Sequence, residues 1–244
     1  MKFKEVEILS NEEIQNGIYK MVVKEEENIK AGQFYMLKCK NKLLQRPISI
    51  CEKEGKNLIF LYAVVGEGTR DFSIMKKGEK ITLTGPLGNG FDLEFKLDKV
   101  ALVGGGIGIA PMLQVAKEIK NKNSAKQLDL YAGFRDEVYL LDEFKEYVDE
   151  INISTNTGSV EHKGFVTDLL KPEEYDLVLC CGPEIMMKKV VEMCKERDTK
   201  VFISMEKHMA CGVGACLVCT CKTKEGFKRT CKDGPVFDGN YVEF

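Results

Sequence analysis

The run Lys99-Val100-Ala101-Leu102-Val103-Gly104-Gly105-Gly106-Ile107-Gly108-Ile109-Ala110-Pro111 decides the architecture of this chain. A short apolar strand enters a glycine-rich turn and leaves it as a helix-compatible segment. Glycines permit tight turning and close backbone approach, and the start of the helix offers unpaired N–H donors and a positive dipole end suited to a pyrophosphate. The pattern is not G-x-G-x-x-G, and the next strand closes on Ala132-Gly133 rather than on an acidic residue. Taken alone, the turn therefore reads equally well as a packing device.

Working outward, the same rhythm continues. Apolar strands are expected at residues 100–103, 128–131, 151–154, 177–180 and 201–204, separated by helix-compatible stretches. One of these, residues 184–197, puts Met187, Val190, Val191 and Cys194 on one helical face. Strands alternating with helices imply a doubly wound parallel sheet. Cys181-Gly182-Pro183 ends the fourth strand and opens a helix, so two loops leave the carboxyl ends of strands, where open parallel sheets bind ligands. Upstream, β-rich runs at residues 18–23, 34–38, 47–51, 58–64 and 80–84 alternate with Gly, Asn and Lys turns, as in an antiparallel β-barrel. The expected divisions are a barrel over residues 1–97, an α/β domain over 98–204 and a tail over 205–244.

The tail carries Cys211, Cys216, Cys219 and Cys231, spaced C-x4-C-x2-C-x11-C among Gly212, Gly214 and Ala215. The first three reproduce the plant-type spacing for a [2Fe-2S] cluster, and small residues let amides approach the sulfurs. Four thiolates also suit tetrahedral zinc, although zinc sites usually repeat a C-x2-C half-site and only one exists here. Cys221 is a fifth thiol nearby and reads as a spare. His208 lies three residues before Cys211, but four cysteines already complete a ligand set.

Composition removes several function classes. Lys+Arg 36 against Asp+Glu 38 leaves no global positive field to draw nucleic acid. The stretch from Met1 to Glu7 has no apolar signal-peptide core, and the apolar run at residues 100–113 is too short and glycine-laden to span a membrane. Ten cysteines without an export signal suggest thiolate chemistry in a reducing cytoplasm.

The barrel region adds Arg46-Pro47-Ile48-Ser49, Tyr62-Ala63-Val64, Gly66-Glu67-Gly68-Thr69 and Gly85-Pro86-Leu87-Gly88. A guanidinium suits a pyrophosphate, and a hydroxyl along an extended strand suits a flavin ring nitrogen, yet each also has a plain structural reading. In combination and order, R-P-I-S, G-E-G-T, G-G-G-I-G-I-A-P and C-G-P resemble the ferredoxin-NADP reductase superfamily. With the cysteine tail and Lys232-Asp233-Gly234-Pro235-Val236-Phe237, the chain resembles the electron-transfer subunits of NAD-dependent, class 1B dihydroorotate dehydrogenases over nearly its whole length.

That resemblance implies FAD and NAD as well as the cluster, and a heterotetramer, two copies of each chain, with an FMN-containing catalytic subunit that oxidises dihydroorotate. It implies that Arg46, Gly68 and Thr69 hold the flavin pyrophosphate, that Ser49 faces the isoalloxazine edge beside Pro47 and Ile48, and that Tyr62, Ala63 and Val64 line the flavin. Gly104, Gly105, Gly106, Gly108, Pro111, Cys181, Gly182 and Pro183 would place the nicotinamide. No general acid or base is expected. The loop Ser154-Thr155-Asn156-Thr157-Gly158 has no Arg or Lys to grip a 2′-phosphate, and Asp136 and Glu137 follow the second strand, so NAD is expected over NADP. Val213, Leu217 and Val218 are expected to face a partner or the parent domains. Competing readings are a diaphorase subunit of another complex, of the NADP:ferredoxin oxidoreductase (which carries aspartate at the position of Cys211), sulfide dehydrogenase or hydrogenase type, and a zinc-tailed nucleotide-sensing module without turnover.

Overall fold

The computed structural model describes residues 3–244; Met1 and Lys2, the first residues of the N-terminal stretch and of the barrel division, lie outside the described residues. Six strands close into an antiparallel barrel in the order β1-β2-β5-β4-β3-β6. They are β1 (Phe3–Gln15), β2 (Ile18–Lys24), β3 (Phe34–Leu37), β4 (Arg46–Glu54), β5 (Asn57–Ala63) and β6 (Lys80–Leu87), with the short helix α1 (Glu67–Ser73) capping one end. Side chains alternate across a barrel wall. On β3, Tyr35 and Leu37 enter the barrel core with Phe60 and Phe72, while Phe34 and Met36 point out into a separate apolar cluster.

The second unit follows the double-wound pattern. It comprises β7 (Leu97–Gly105), α2 (Ile109–Lys122), β8 (Ala125–Phe134), the single turn α3 (Leu141–Phe144), β9 (Glu150–Thr155), β10 (His162–Lys163), β11 (Leu177–Cys181), α4 (Glu184–Glu196) and β12 (Lys200–Ser204). Val100 and Leu102 of β7 join the core under α2, whereas Ala101 and Val103 join the core under α4. Leu177 and Leu179 of β11 repeat the first choice, and Val178 and Cys180 the second. A strand buried on both faces cannot afford polar alternation, which is why these runs are apolar throughout. Each fully buried Val or Leu contributes about 1.5–3 kcal/mol.

The tail holds the hairpin β13 (Thr220–Thr223) and β14 (Gly226–Arg229), then β15 (Val236–Asp238). β15 pairs antiparallel with β12, completing a seven-stranded sheet in the order β10-β9-β8-β7-β11-β12-β15. The tail is therefore no free appendage: its end is an edge strand of the parent sheet, with Phe237 and Val242 in the core under α4.

Barrel and sheet share one continuous core, since Ala31, Cys51, Ile59 and Leu61 pack with Met112, Val115 and Leu179. Polar bonds fix the seam. Lys117 of α2 pairs with buried Glu52 of β4 at 2.6 Å, Gln114 accepts the Lys53 amide N–H at 2.8 Å, and Glu118 accepts that of Ala31 at 3.1 Å. Helix α2 starts at the glycine turn, so these bonds tie that turn to the barrel.

Candidate functional site: a thiol loop, a barrel face and two glycine loops

The four tail cysteines form two pairs. Cys216 lies beside Cys211, and Cys219 beside Cys231, each close enough to act on its neighbour's thiol. Backbone amides converge on the sulfurs: Ala215 and Cys216 donate to Cys211 Sγ at 3.3 and 3.4 Å, and Gly214 donates to Cys231 Sγ at 3.0 Å. The Cys231 amide donates in turn to Cys219 Sγ at 3.4 Å. Burial raises the Cys211 thiol pKa, but the amides of Val213, Cys216 and Ala215 and the Cys216 side chain outweigh it and bring it down to about 6. Burial, with Cys219 alongside, pushes Cys231 up to about 12. Gly212 and Gly214 take φ of +70° and +80°, the left-handed geometry that aims successive amides inward and that side chains resist.

Two iron atoms with two thiolates each match two pairs of thiols. The C-x4-C-x2-C spacing and the amide N–H groups directed at the sulfurs fit a [2Fe-2S] cluster. Cys221 points elsewhere, into the core under α4, and burial raises its thiol pKa. Sequence reading missed the scaffold beneath the loop. Arg229 and Asp233 form a two-pronged ion pair at 2.9 Å on both arms, the Arg229 amide donates to the same carboxylate at 2.7 Å, and the amides of Lys232 and Asp233 donate to the Arg229 carbonyl. Asn89 donates to the carbonyls of Lys232 and Asp233 from the barrel side. An Arg–Asp pair four apart, flanking Cys231, was the available signal.

On the barrel the R-P-I-S motif divides. Arg46 lies over Gly68, where an added Cβ would stand 2.6 Å from its Nε. Its Nη1 is occupied by the carbonyls of Leu44 and Gln45 at 2.9 and 3.3 Å. Pro47 and Ser49 stand opposite Met36 and Phe34 of β3 and so share the outward face with them, while Ile48 packs inward. The structure therefore brings Arg46 to the start of α1 and sets Ser49 on the barrel wall, two positions that suit a pyrophosphate and a flavin ring of one extended cofactor.

Two expected side chains are committed elsewhere. The ring of Tyr62 is buried inside the barrel, edge-on to Phe72, and its hydroxyl donates to Asn11 at 2.9 Å; in the 62–64 run Ala63 alone faces outward. Thr69 Oγ1 accepts the amides of Val65 and Gly66 at 3.0 and 3.2 Å and donates to the Gly66 carbonyl, so its hydroxyl shapes the turn and leaves only first-turn amides for a ligand.

The glycines of the nucleotide loops serve mainly each other. β7 and β11 are neighbours, with Gly104 opposite Cys181. A Cβ on Gly108 would stand 2.5 Å from the Cys181 carbonyl oxygen, on Gly105 2.5 Å from Met186 Sδ, on Gly182 2.9 Å from the Gly105 nitrogen and on Gly104 3.0 Å from Ile109 Cα. Gly106 differs: it takes φ +53° and faces open space. Pro111 is buried in the first turn of α2, and the Cys181 thiol is buried with its pKa raised well above the usual range. Packing accounts for Gly104, Gly105 and Gly108, whereas Gly106 stands open.

Comparison with known proteins agrees with this assembly. Residues 206–243 match the iron-sulfur cluster binding domain of dihydroorotate dehydrogenase B, and residues 102–192 match the oxidoreductase NAD-binding domain. The chain is 60% identical to the dihydroorotate dehydrogenase B (NAD(+)) electron transfer subunit of Clostridium perfringens, covering 100% of this chain and 99% of that protein. It is 52% identical to the subunit of the same description from Clostridium acetobutylicum, over 98% and 96% of the two chains. A solved structure of an NADH-dependent reduced ferredoxin-NADP oxidoreductase, connected with flavin-based electron bifurcation, superposes with a TM-score of 0.88 at 27% identity, covering 98% of this chain and 89% of that one.

Proposed function

The chain belongs to the family of electron transfer subunits of dihydroorotate dehydrogenase B (NAD(+)), and from that membership we propose the route by which it carries electrons to NAD+ in pyrimidine biosynthesis. On this reading Cys211, Cys216, Cys219 and Cys231 would hold a [2Fe-2S] cluster and the barrel would hold FAD, and these groups would supply the chemistry that links dihydroorotate oxidation on a separate FMN-bearing catalytic subunit to the reduction of NAD+. The observation that carries this reading is the pairing of the four thiols under convergent amides, seated against the barrel wall that bears Pro47 and Ser49.

When bound, the cluster exchanges single electrons and the flavin can exchange one or two, which is the chemistry required between a one-electron carrier and a nicotinamide. The chain's own residues orient and insulate. Amides of Gly214, Ala215 and Cys216 favour anionic sulfur. Arg46 and the first amides of α1 offer positive charge to a pyrophosphate, and Ser49 offers a hydroxyl to the ring edge. The turn at Gly106 opens beside the Cys181–Pro183 loop, and the α2–β4 bonds hold that turn in a fixed relation to the barrel.

The apolar residues Leu217 and Val218 are 62% and 56% exposed next to exposed Cys216, which supports a subunit contact at the cluster end. We assign two copies of each chain to the complex. Ten cysteines present as thiols favour the cytoplasm. Among the described residues no helix is long and apolar enough to cross a membrane.

The purified chain should contain iron and FAD, reduce dyes with NADH and leave dihydroorotate untouched. Adding the catalytic subunit should restore NAD+ reduction by dihydroorotate. Dihydroorotate oxidation by the chain alone would overturn the assignment of that step to a separate subunit, and failure of the catalytic subunit to bind it would favour a diaphorase of another complex.

A further inference from the structure

Cluster loop and flavin strand meet on one row of side chains. Cys219 and Cys231 are buried with Phe34 and Met36, and Leu87 and Met209 pack against them. Contact is close enough that a Cβ on Gly212 would lie 2.8 Å from Met36 Cγ and 3.0 Å from Leu87 Cδ1. Met36 is fully buried and Phe34 is 3% exposed. Across the ladder Met36 opposes Pro47 and Phe34 opposes Ser49. Side chains of opposed residues share a face and stand about 4.5–5.5 Å apart at Cβ. Cys219 and Cys231 and the β4 residues Pro47 and Ser49 thus meet the same two side chains of β3, Met36 and Phe34.

We infer that Met36 is a positioning residue for electron transfer: it seats the cluster loop against the flavin strand, and by keeping water from Cys219 and Cys231 it holds the cluster's reduction potential down. The inference rests on the cofactor assignment of the preceding section. A cluster with four thiolates gains net negative charge on reduction, and an apolar shell disfavours the added charge. In each transfer one electron leaves the reduced cluster and one arrives on the flavin; two transfers and one proton make up the hydride passed to NAD+. A lower cluster potential drives the electron toward the flavin. Met36 is unbranched and polarisable, so it fills the gap beneath Gly212 without displacing the loop.

The test is a redox titration of the purified full chain, followed by the electron-spin signal of the reduced cluster. Met36→Gln, of similar length but polar, should raise the midpoint potential, whereas Met36→Leu should leave it close to wild type. In rapid mixing with NADH, Met36→Ala should slow cluster bleaching several-fold relative to flavin bleaching, because the loop loses its seat. If Met36→Gln fails to take up iron, Leu87→Gln approaches the same contact from a half-buried position and should raise the potential instead. Unchanged potentials in the polar variants at full iron and flavin content overturn the inference. Wild-type chain lacking either chromophore would overturn the cofactor assignment itself.

Discussion

Two glycine-rich regions of this molecule look alike as text and work in opposite ways. In the loop from Gly104 to Gly108, most glycines let the protein touch itself: Gly105 meets Met186, and Gly108 meets the Cys181 carbonyl. In the loop from Cys211 to Cys219, Gly212 and Gly214 turn the chain into left-handed conformations so that amides point at sulfur. One region is a packed joint with a single open position; the other is a concave array of donors in which Gly212 also leaves room for Met36. The residue type is shared because it has two separate virtues, lack of a side chain and access to positive φ. Spacing alone cannot say which is in use.

The comparison breaks most sharply at the cysteines. Alanine at Cys211, Cys216, Cys219 or Cys231 should abolish visible iron-sulfur absorbance and electron flow to the catalytic subunit, while NADH-to-dye reduction persists in part. Cys221→Ala should retain the cluster, because that thiol is buried under α4. Iron retained by Cys219→Ala and lost by Cys221→Ala would reverse the assignment of the pairs.

The next effect belongs to the packed joint. Gly108→Ala forces a Cβ to within 2.5 Å of backbone oxygen, which cannot swing aside as a side chain would. Overpacking of this kind costs about 1–3 kcal/mol, and an immovable neighbour places it at the upper end. Gly106→Ala meets nothing and bears only the left-handed penalty of about 1–2 kcal/mol. Urea unfolding of the two variants separates the roles: Gly108→Ala should be the less stable, while Gly106→Ala should show the larger rise in KM for NADH relative to its loss of stability. Equal losses on both measures would mean that Gly106 is a packing glycine as well.

These contrasts also mark what the sequence makes legible. The strands at residues 100–103 and 177–180 are plain because burial on both faces leaves an unbroken apolar run. β1 is hidden: Lys4, Glu5, Glu7, Glu12 and Glu13 dominate it, and only Val6 and Ile8 are buried. α1 is masked by Gly68, a poor helix residue that lies against the Arg46 guanidinium. Cysteine spacing announces the cluster loop, but the seat formed by Phe34 and Met36 does not follow from it, since it joins distant segments, and the Arg229–Asp233 clamp, though local, shows in the sequence only as two charges four residues apart. Tyr62 and Thr69 stand within motif runs, yet the barrel interior and a helix cap claim them. Motif proximity does not show which way a side chain points.

A third effect tests the barrel side. Arg46→Ala should weaken FAD retention by about 1.5–3 kcal/mol, the range for a charge-assisted hydrogen bond, or roughly 10- to 150-fold in dissociation constant. Fold stability should change less, because the guanidinium is half-buried and its described bonds are to local carbonyls. Release of FMN rather than FAD on denaturation would remove the pyrophosphate that Arg46 is assigned to hold.

The smallest expected effect is the choice of nicotinamide nucleotide, and the structure alters its basis. The loops after β8 and β9 are joined, for the Asn156 amide donates to the Arg135 carbonyl at 2.9 Å and Ser159 Oγ to the Asp136 carbonyl at 3.0 Å. Asp136 thus lies beside the loop proposed to meet a 2′-phosphate, with Glu137 next in the chain, but so does Arg135, a cation that the loop composition alone overlooked. Lys163 adjoins the same loop through its pairing with Thr155. All four are exposed or nearly so, where opposed unit charges interact by about 1 kcal/mol at 4 Å, and the two signs largely offset each other. Discrimination should therefore come from the absence of a bidentate phosphate grip more than from repulsion, giving a preference for NADH of about tenfold rather than a thousandfold, since 1.4 kcal/mol is one factor of ten. Asp136→Lys should narrow that preference several-fold and Lys163→Ala widen it slightly, as read from the ratio of kcat/KM for NADH and NADPH at low salt. Equal efficiencies in the unmodified protein would mean that Arg135 turns inward to grip the phosphate, and Arg135→Ala should then restore the preference.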